Sequence, residues 1–278
     1  MPTAVPTPPP TAAPTPQSLE ALAQNVVERL DGYRGIVGLA VRDLQTGQGF
    51  QVNGETRVVA ASVIKIFVLL SVLKDLEVDL YDLEAVAADI DAMMSVSDNE
   101  AAARLTTRTG IANVNQLMQA LGMEDSIYHS WPGVAEVYGP PGQNYLTAID
   151  AVTALAKLYQ RETLSPQFTE LALQKMMQSI PSHNTIIPRH LPDDVKVAHK
   201  IGFLPGPPSH LFEVHSDAGI VLLPPPEAAE GEIAYAIAFL SQDNPSHQGA
   251  ADLGAQLSRL VFDYFAAHYG VQAAPGPP

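Results

Sequence analysis

Apolar positions fall at helical spacing near the start of the chain, and strand spacing appears in two stretches far apart in sequence. Leu19, Leu22, Val26 and Leu30 recur one turn apart, with Ser18 as a candidate N-cap. Ile36–Arg42 then predicts a strand, Gln45–Gly49 a turn and Phe50–Asn53 a paired strand. The pattern is helical from Ser62 to about Leu76, and again over Leu83–Met94, Glu100–Thr109, Val114–Leu121, Ala148–Arg161 and Glu170–Met177. Strand signals resume at Val195–Ile201, Val214–Leu223 and Ile233–Leu240. Asp252–Tyr269 closes the pattern as a helix with Leu253, Leu257, Leu260 and Tyr264 on one face.

This order predicts an α+β architecture: an antiparallel sheet made from both chain ends and flanked by helices, with an all-helical lobe inserted between them. The sheet lobe is expected over residues 18–61 and 183–270, the helical lobe over 62–182, and the whole domain over 18–278. A cleft is expected at the seam. Residues 1–17 stand apart: Pro2–Pro16 alternates Pro, Thr and Ala, a composition that favours extended polyproline conformations and behaves as a linker. Such a Thr/Pro segment suits a stalk, and an export signal or anchor upstream of it is expected, hence an extracytoplasmic location.

Composition narrows the function. The apolar fraction of 46% and mean hydropathy of +0.06 fit a folded domain. Fifteen Lys and Arg against thirty Asp and Glu leave a formal charge of −15, which argues against a nucleic-acid groove or an anionic membrane surface. The lack of cysteine excludes disulfides, thiolate metal sites and a cysteine nucleophile. The longest apolar run, Ile64–Leu73, is interrupted by Lys65 and followed by Lys74, so it reads as a buried helix rather than a membrane span. No His-x-x-x-His pair, Gly-x-Ser-x-Gly elbow or glycine-rich phosphate loop occurs. No metal or cofactor is expected, and the partner is expected to be a small molecule met by a monomer.

Three short motifs carry the candidate chemistry. Ser62 and Lys65 stand one turn apart where a helix begins, so the lysine amine is placed to take the serine proton, and the helix start offers free N–H groups to an oxyanion. A second Ser-x-x-Lys, Ser71 to Lys74, lies mid-helix and points to the opposite face. Ser97-Asp98-Asn99-Glu100 reads as a capping box, with Ser97 also placed to relay a proton and Asn99 to hydrogen-bond a substrate amide. Lys200-Ile201-Gly202 reads as the end of a strand, Lys200 adding positive charge near Ser97 and Gly202 leaving room for a substrate backbone.

In this order the motifs resemble those of the penicillin-recognising serine enzymes, class A β-lactamases in particular, over nearly all of Ser18–Tyr269. The resemblance implies a β-lactamase-like fold. It also implies that Ser62 is the acylated nucleophile, Lys65 its proton partner and Ser97 a proton relay. Asn99 would bind substrate, Lys200 its carboxylate, and the backbone N–H groups of Ser62 and Phe203 the oxyanion.

The chain also departs from that family. The Glu-x-x-Leu-Asn motif that activates the deacylating water is absent: the corresponding stretch, residues 130–138, places Pro132 where the Glu is expected and Glu136 where the Asn is expected. Glu136 is therefore the candidate replacement carboxylate. Ile201 stands where Thr or Ser is usual, and His215 stands roughly where an Arg would serve the substrate carboxylate, which would make its binding pH-dependent. The helical lobe is short between Ser62 and Ser97. The expectation is a serine hydrolase that opens β-lactams through a Ser62 acyl-enzyme, with slow turnover. A penicillin-binding D-Ala-D-Ala peptidase or an esterase is the alternative enzyme, and a catalytically idle cell-envelope binding module the alternative of another class.

Overall fold

The computed structural model describes residues 18–129, 143–206, 213–224 and 232–271. Its centre is a five-stranded antiparallel sheet of β1 (Ile36–Asp43), β2 (Gly49–Val52), β5 (Lys196–Pro205), β6 (Glu213–Leu223) and β7 (Ile233–Gln242). The order is β2-β1-β7-β6-β5. Strands from opposite ends of the chain are thus neighbours: Ile36 pairs with Gln242 and Asp43 with Tyr235. A two-residue ladder, β3 (Val58–Val59) against β4 (Tyr145–Leu146), sits apart from this sheet. It is too short to leave a period in the sequence, and it was not expected.

Helix α1 (Leu19–Leu30) is capped as foreseen, the Ser18 hydroxyl accepting from the Ala21 N–H. The last helix, α8 (His247–Tyr269), begins five residues before the predicted start because Ser246 caps it by accepting from the Gly249 N–H. Its buried face is also broader than predicted. Leu253 and Leu257 are buried with Ser258, Val261, Phe262 and Phe265, whereas Leu260 and Tyr264 are only partly covered.

Between β1/β2 and β5 lie six helices among the described residues: α2 (Lys65–Glu77), α3 (Ala87–Ser95), α4 (Asn99–Thr109), α5 (Ile111–Ala120), α6 (Ala148–Tyr159) and α7 (Pro166–Met176). The predicted Leu83–Met94 helix is split, with a 3-10 turn at Leu83–Ala85 and Val86 (φ −127°) breaking it from α3. Helix α7 starts at Pro166, four residues earlier than predicted, with proline in the first turn where no N–H is needed.

Strand β7, IAYAIAFLSQ, shows why the sheet holds both layers. It is buried on both faces, so polarity does not alternate, but size does. Ala234, Ala236, Ala238 and Leu240 belong to the core shared with the helical lobe, whereas Ile233, Tyr235, Ile237 and Phe239 pack with α1 and α8. The small face lets α6 approach the sheet closely, and the large face fills the wider gap to the terminal helices.

Helix α2 is the axis of the helical lobe, with every residue from Lys65 to Leu73 buried. The second Ser-x-x-Lys is structural, as its mid-helix position implied. The Ser71 hydroxyl pairs with Thr109 Oγ1 at 2.9 Å, and Lys74 reaches Glu77 and the Thr163 carbonyl. Leu69→Ala removes a fully buried side chain and is expected to cost about 2–5 kcal/mol of stability; the urea midpoint at unchanged m-value reads this directly.

Candidate active site

Ser62 does not open the α-helix. It sits on a 3-10 turn, Ala61–Ile64, and Lys65 is the first residue of α2. The turn is fastened by the Ala60 N–H to the Asn144 carbonyl, the Val63 N–H to the Ala60 carbonyl, and the Val59 N–H to Gln242 Oε1. Ala61 holds a φ of +44°, a left-handed conformation that costs a non-glycine residue about 1–2 kcal/mol. Gly202 packs against this turn. A Cβ there would stand 2.9 Å from Val63 Cγ2 and 3.0 Å from the Ala60 carbonyl oxygen, so glycine is what lets β5 close onto the segment bearing Ser62. Nor does Lys200-Ile201-Gly202 end the strand, since β5 continues to Pro205.

The capping box at Ser97 is not formed. Asp98 is the N-cap of α4, its carboxylate accepting from the Ala101 N–H at 2.7 Å. Ser97 is displaced from that role into a left-handed conformation, φ +61°. Its hydroxyl and carbonyl oxygens meet the lysines instead. Lys65 Nζ donates to the Ser97 carbonyl at 2.6 Å, to Asn99 Oδ1 at 2.8 Å and to Ser97 Oγ at 3.2 Å. Lys200 Nζ donates to the same Ser97 Oγ at 2.9 Å, and to the Ile201 carbonyl at 3.3 Å. With Ser97 Oγ accepting from both sides, its own proton is directed elsewhere.

Both ammonium groups are fully buried. Burial lowers Lys65 to about 7, helped by the charge of Lys200 and opposed by Asp98. Burial likewise lowers Lys200 to about 8, opposed by Asp217. Asp217 lies on β6 and is braced by His199 Nδ1 at 2.9 Å and by the Ile187 N–H at 3.1 Å. The Asn184 side chain closes that chain at 3.2 Å from His199 Nε2. Sequence reading left His199 without a role, because its partner is 18 residues away on the next strand.

These groups border a cleft of about 420 Å³ lined by Ser62, Ser97, Asn99, Ser182, His183, Thr185, Ile201, Phe203 and His215. Ser62, Lys65, Ser97, Asn99 and Lys200 are thus brought together as expected, and Phe203 and His215 stand on the wall. Glu136 lies outside the described residues. Ser182, His183 and Thr185 were missed, since they come from an irregular segment with no periodic signal, around a 3-10 turn at Pro181–His183. His215 is buried. Its Nδ1 donates to the His247 carbonyl at 3.0 Å, which leaves Nε2 facing Thr185 Oγ1 at 3.2 Å. Burial, foremost, lowers its pKa and that of His183.

The match of the chain to a family model, the beta-lactamase enzyme family, runs over residues 19–88 and 85–265. This chain belongs to that family. Solved structures share the family's fold. PBP-A superposes with a TM-score of 0.73 at 23% identity, covering 91% of this chain and 98% of that one; a point mutant of it is seen as an acyl-enzyme complex with penicillin G. The TLA-3 extended-spectrum beta-lactamase gives 0.78 at 21% identity over 89% and 99%. A class A beta-lactamase from Bacteroides cellulosilyticus gives 0.77 at 21% over 91% and 99%. A search of curated proteins finds no match. Among the described residues, no helix is long and apolar enough to cross a membrane.

In this member of the beta-lactamase family, the lysine geometry has a direct readout. In protein labelled with 13C at lysine Cε, one resonance is expected to titrate near 7 and to vanish in Lys65→Arg. Titration of every lysine near the ordinary 10.5 would remove Lys65 as a proton acceptor.

Proposed function

We propose that this chain is a serine hydrolase that opens β-lactams by acylating Ser62. The observation that carries the reading is the convergence of two buried lysines on Ser97 Oγ at the edge of the cleft that Ser62 lines. Burying two ammonium groups costs several kcal/mol each unless they are well paired, and an idle binding module has no use to offset that cost. With its pKa lowered to about 7, Lys65 is half neutral at neutral pH and takes the Ser62 proton as Oγ attacks the ring carbonyl. Ser97 passes a proton to the departing ring nitrogen, and Lys200 lends positive potential behind it. Asn99 holds the substrate amide. The backbone N–H groups of Ser62 and Phe203 take the developing oxyanion, a role that suits Phe203 because β5 is an edge strand with N–H groups facing away from the sheet.

Deacylation is a separate matter. Among the described residues no carboxylate lines the cleft, and a positioned general base supplies about 10²–10⁴ in rate. This favours a second reading, in which the acyl-enzyme persists as it does in a penicillin-binding protein. We assign Glu136 as the candidate base for whatever turnover occurs. The Thr/Pro run of residues 2–16 and the family membership support an extracytoplasmic site of action.

Time-resolved intact mass with benzylpenicillin tests the reading. An adduct is expected on the native protein and none on Ser62→Ala; labelling that survives the substitution places the nucleophile elsewhere. Glu136→Gln is expected to leave acylation intact and slow adduct decay, and unchanged decay leaves Glu136 as a loop charge.

A further inference from the structure

A second hydroxyl of the cleft is held against a base. Thr185 and His215 line the same cleft as Ser62, and Thr185 Oγ1 stands 3.2 Å from His215 Nε2. The other ring nitrogen fixes the direction of that contact. His215 Nδ1 faces the His247 carbonyl at 3.0 Å, and a carbonyl only accepts, so the ring proton sits on Nδ1. Nε2 of the neutral ring is then an acceptor, and the Thr185 hydroxyl donates to it. Burial, foremost, favours that neutral ring. Thr185 Oγ1 keeps its lone pairs for a proton from the cleft. A hydroxyl, an imidazole and a third group that orients the ring, all within hydrogen-bond reach, are the parts that activate an oxygen for attack.

The fold sets this pair close to the candidate nucleophile. His215 is the direct cross-strand partner of Phe203, whose N–H is a proposed oxyanion donor, and the Cα atoms of such partners lie about 5 Å apart. Val214, the residue before His215, clusters with Ala61, the residue before Ser62. Behind the pair, His247 opens α8 and its ring meets the Glu213 carboxylate. Asn244 ties down Glu213, donating its backbone N–H at 2.9 Å and its side-chain amide at 2.6 Å. Among the described residues, the charged and titratable groups around His215 are thus His247, Glu213 and Asp217; His210 lies outside them.

We propose that Thr185 and His215 form the relay that activates water to release the acyl group from Ser62, Thr185 touching the water and His215 positioned behind it as the proton acceptor. The proposal rests on Ser62 as the nucleophile. The water oxygen bonds to the acyl carbon, its proton passes to Thr185 Oγ1, and the threonine proton passes to His215 Nε2. The bond from the acyl carbon to Ser62 Oγ then breaks, and Ser62 Oγ takes a proton from the Lys65 ammonium. His215 gives its proton up to solvent, and one from solvent restores Lys65. The relay needs no carboxylate, in a chain that lacks the Glu-x-x-Leu-Asn motif.

Decay of the benzylpenicillin adduct on Ser62, followed by intact mass at neutral pH, tests the relay. The native adduct is expected to decay, and Thr185→Val to slow that decay by about 10²-fold, the low end of what a positioned base supplies. Thr185→Ser is expected to restore it. His215→Asn, alone or combined with Thr185→Val, is expected to slow decay no further than Thr185→Val does, because members of one relay fail together. Hydroxylamine, a nucleophile that needs no general base, is expected to release the adduct equally from the native protein and from Thr185→Val, which a distorted cleft would not allow. Three results overturn the relay and leave Ser62 standing: a native adduct that persists, decay unchanged in Thr185→Val, or release by hydroxylamine slowed as much as release by water. Absence of any adduct overturns the nucleophile and the relay together.

Discussion

Two ammonium groups aimed at one serine oxygen constrain the rest of this molecule. Lys65 comes from the helical lobe and Lys200 from the edge strand of the sheet, and they meet at Ser97 Oγ with no solvent exposure. Like charges so placed repel, and burial disfavours both. The protein answers with lowered lysine pKa values and with three oxygens arranged around Lys65. The lobes are therefore joined by groups whose protonation states are coupled, and moving either lobe would leave a buried charge short of partners.

That requirement explains the local strain. Ala61 and Ser97, one beside the candidate nucleophile and one between the lysines, both hold left-handed backbone conformations without being glycine. Asp98 takes over the cap that the sequence offered to Ser97, which turns the serine toward the seam. Gly202 removes the atom that would otherwise hold β5 off the Ser62 turn. Behind this, the sheet provides a stiff platform because its large and small faces match the two helical layers differently.

The chemistry the site supports is uneven. Two buried lysines and Ser97 gather at the edge of the cleft that Ser62 lines, while Ile201, Phe203, His183 and His215 make part of its lining apolar, aromatic and histidine-bearing. The brace of Asp217, His199 and Asn184 links the strand carrying Lys200 to the segment carrying Ser182, His183 and Thr185. It holds the cationic and the neutral sides of the cleft in one frame, with Asp217 raising the pKa of the nearby Lys200.

Much of this was legible in the chain. Helix α1 and its Ser18 cap, the strands at both ends and the helical insertion follow from local periodicity, which contacts within a few residues impose, whereas the grouping of Ser62, Lys65, Ser97, Asn99 and Lys200 is read from the order of three motifs and their resemblance to those of a known family. What escaped depended on partners distant in sequence. The capping box failed because two lysines, 32 and 103 residues from Ser97, compete for its oxygens. Gly202 has its reason in a turn some 140 residues earlier, and His183 and Thr185 reach the cleft from a segment with no repeating pattern. Local order is written in the sequence because neighbours enforce it; the burial, protonation and company of a side chain exist only once the chain has closed on itself.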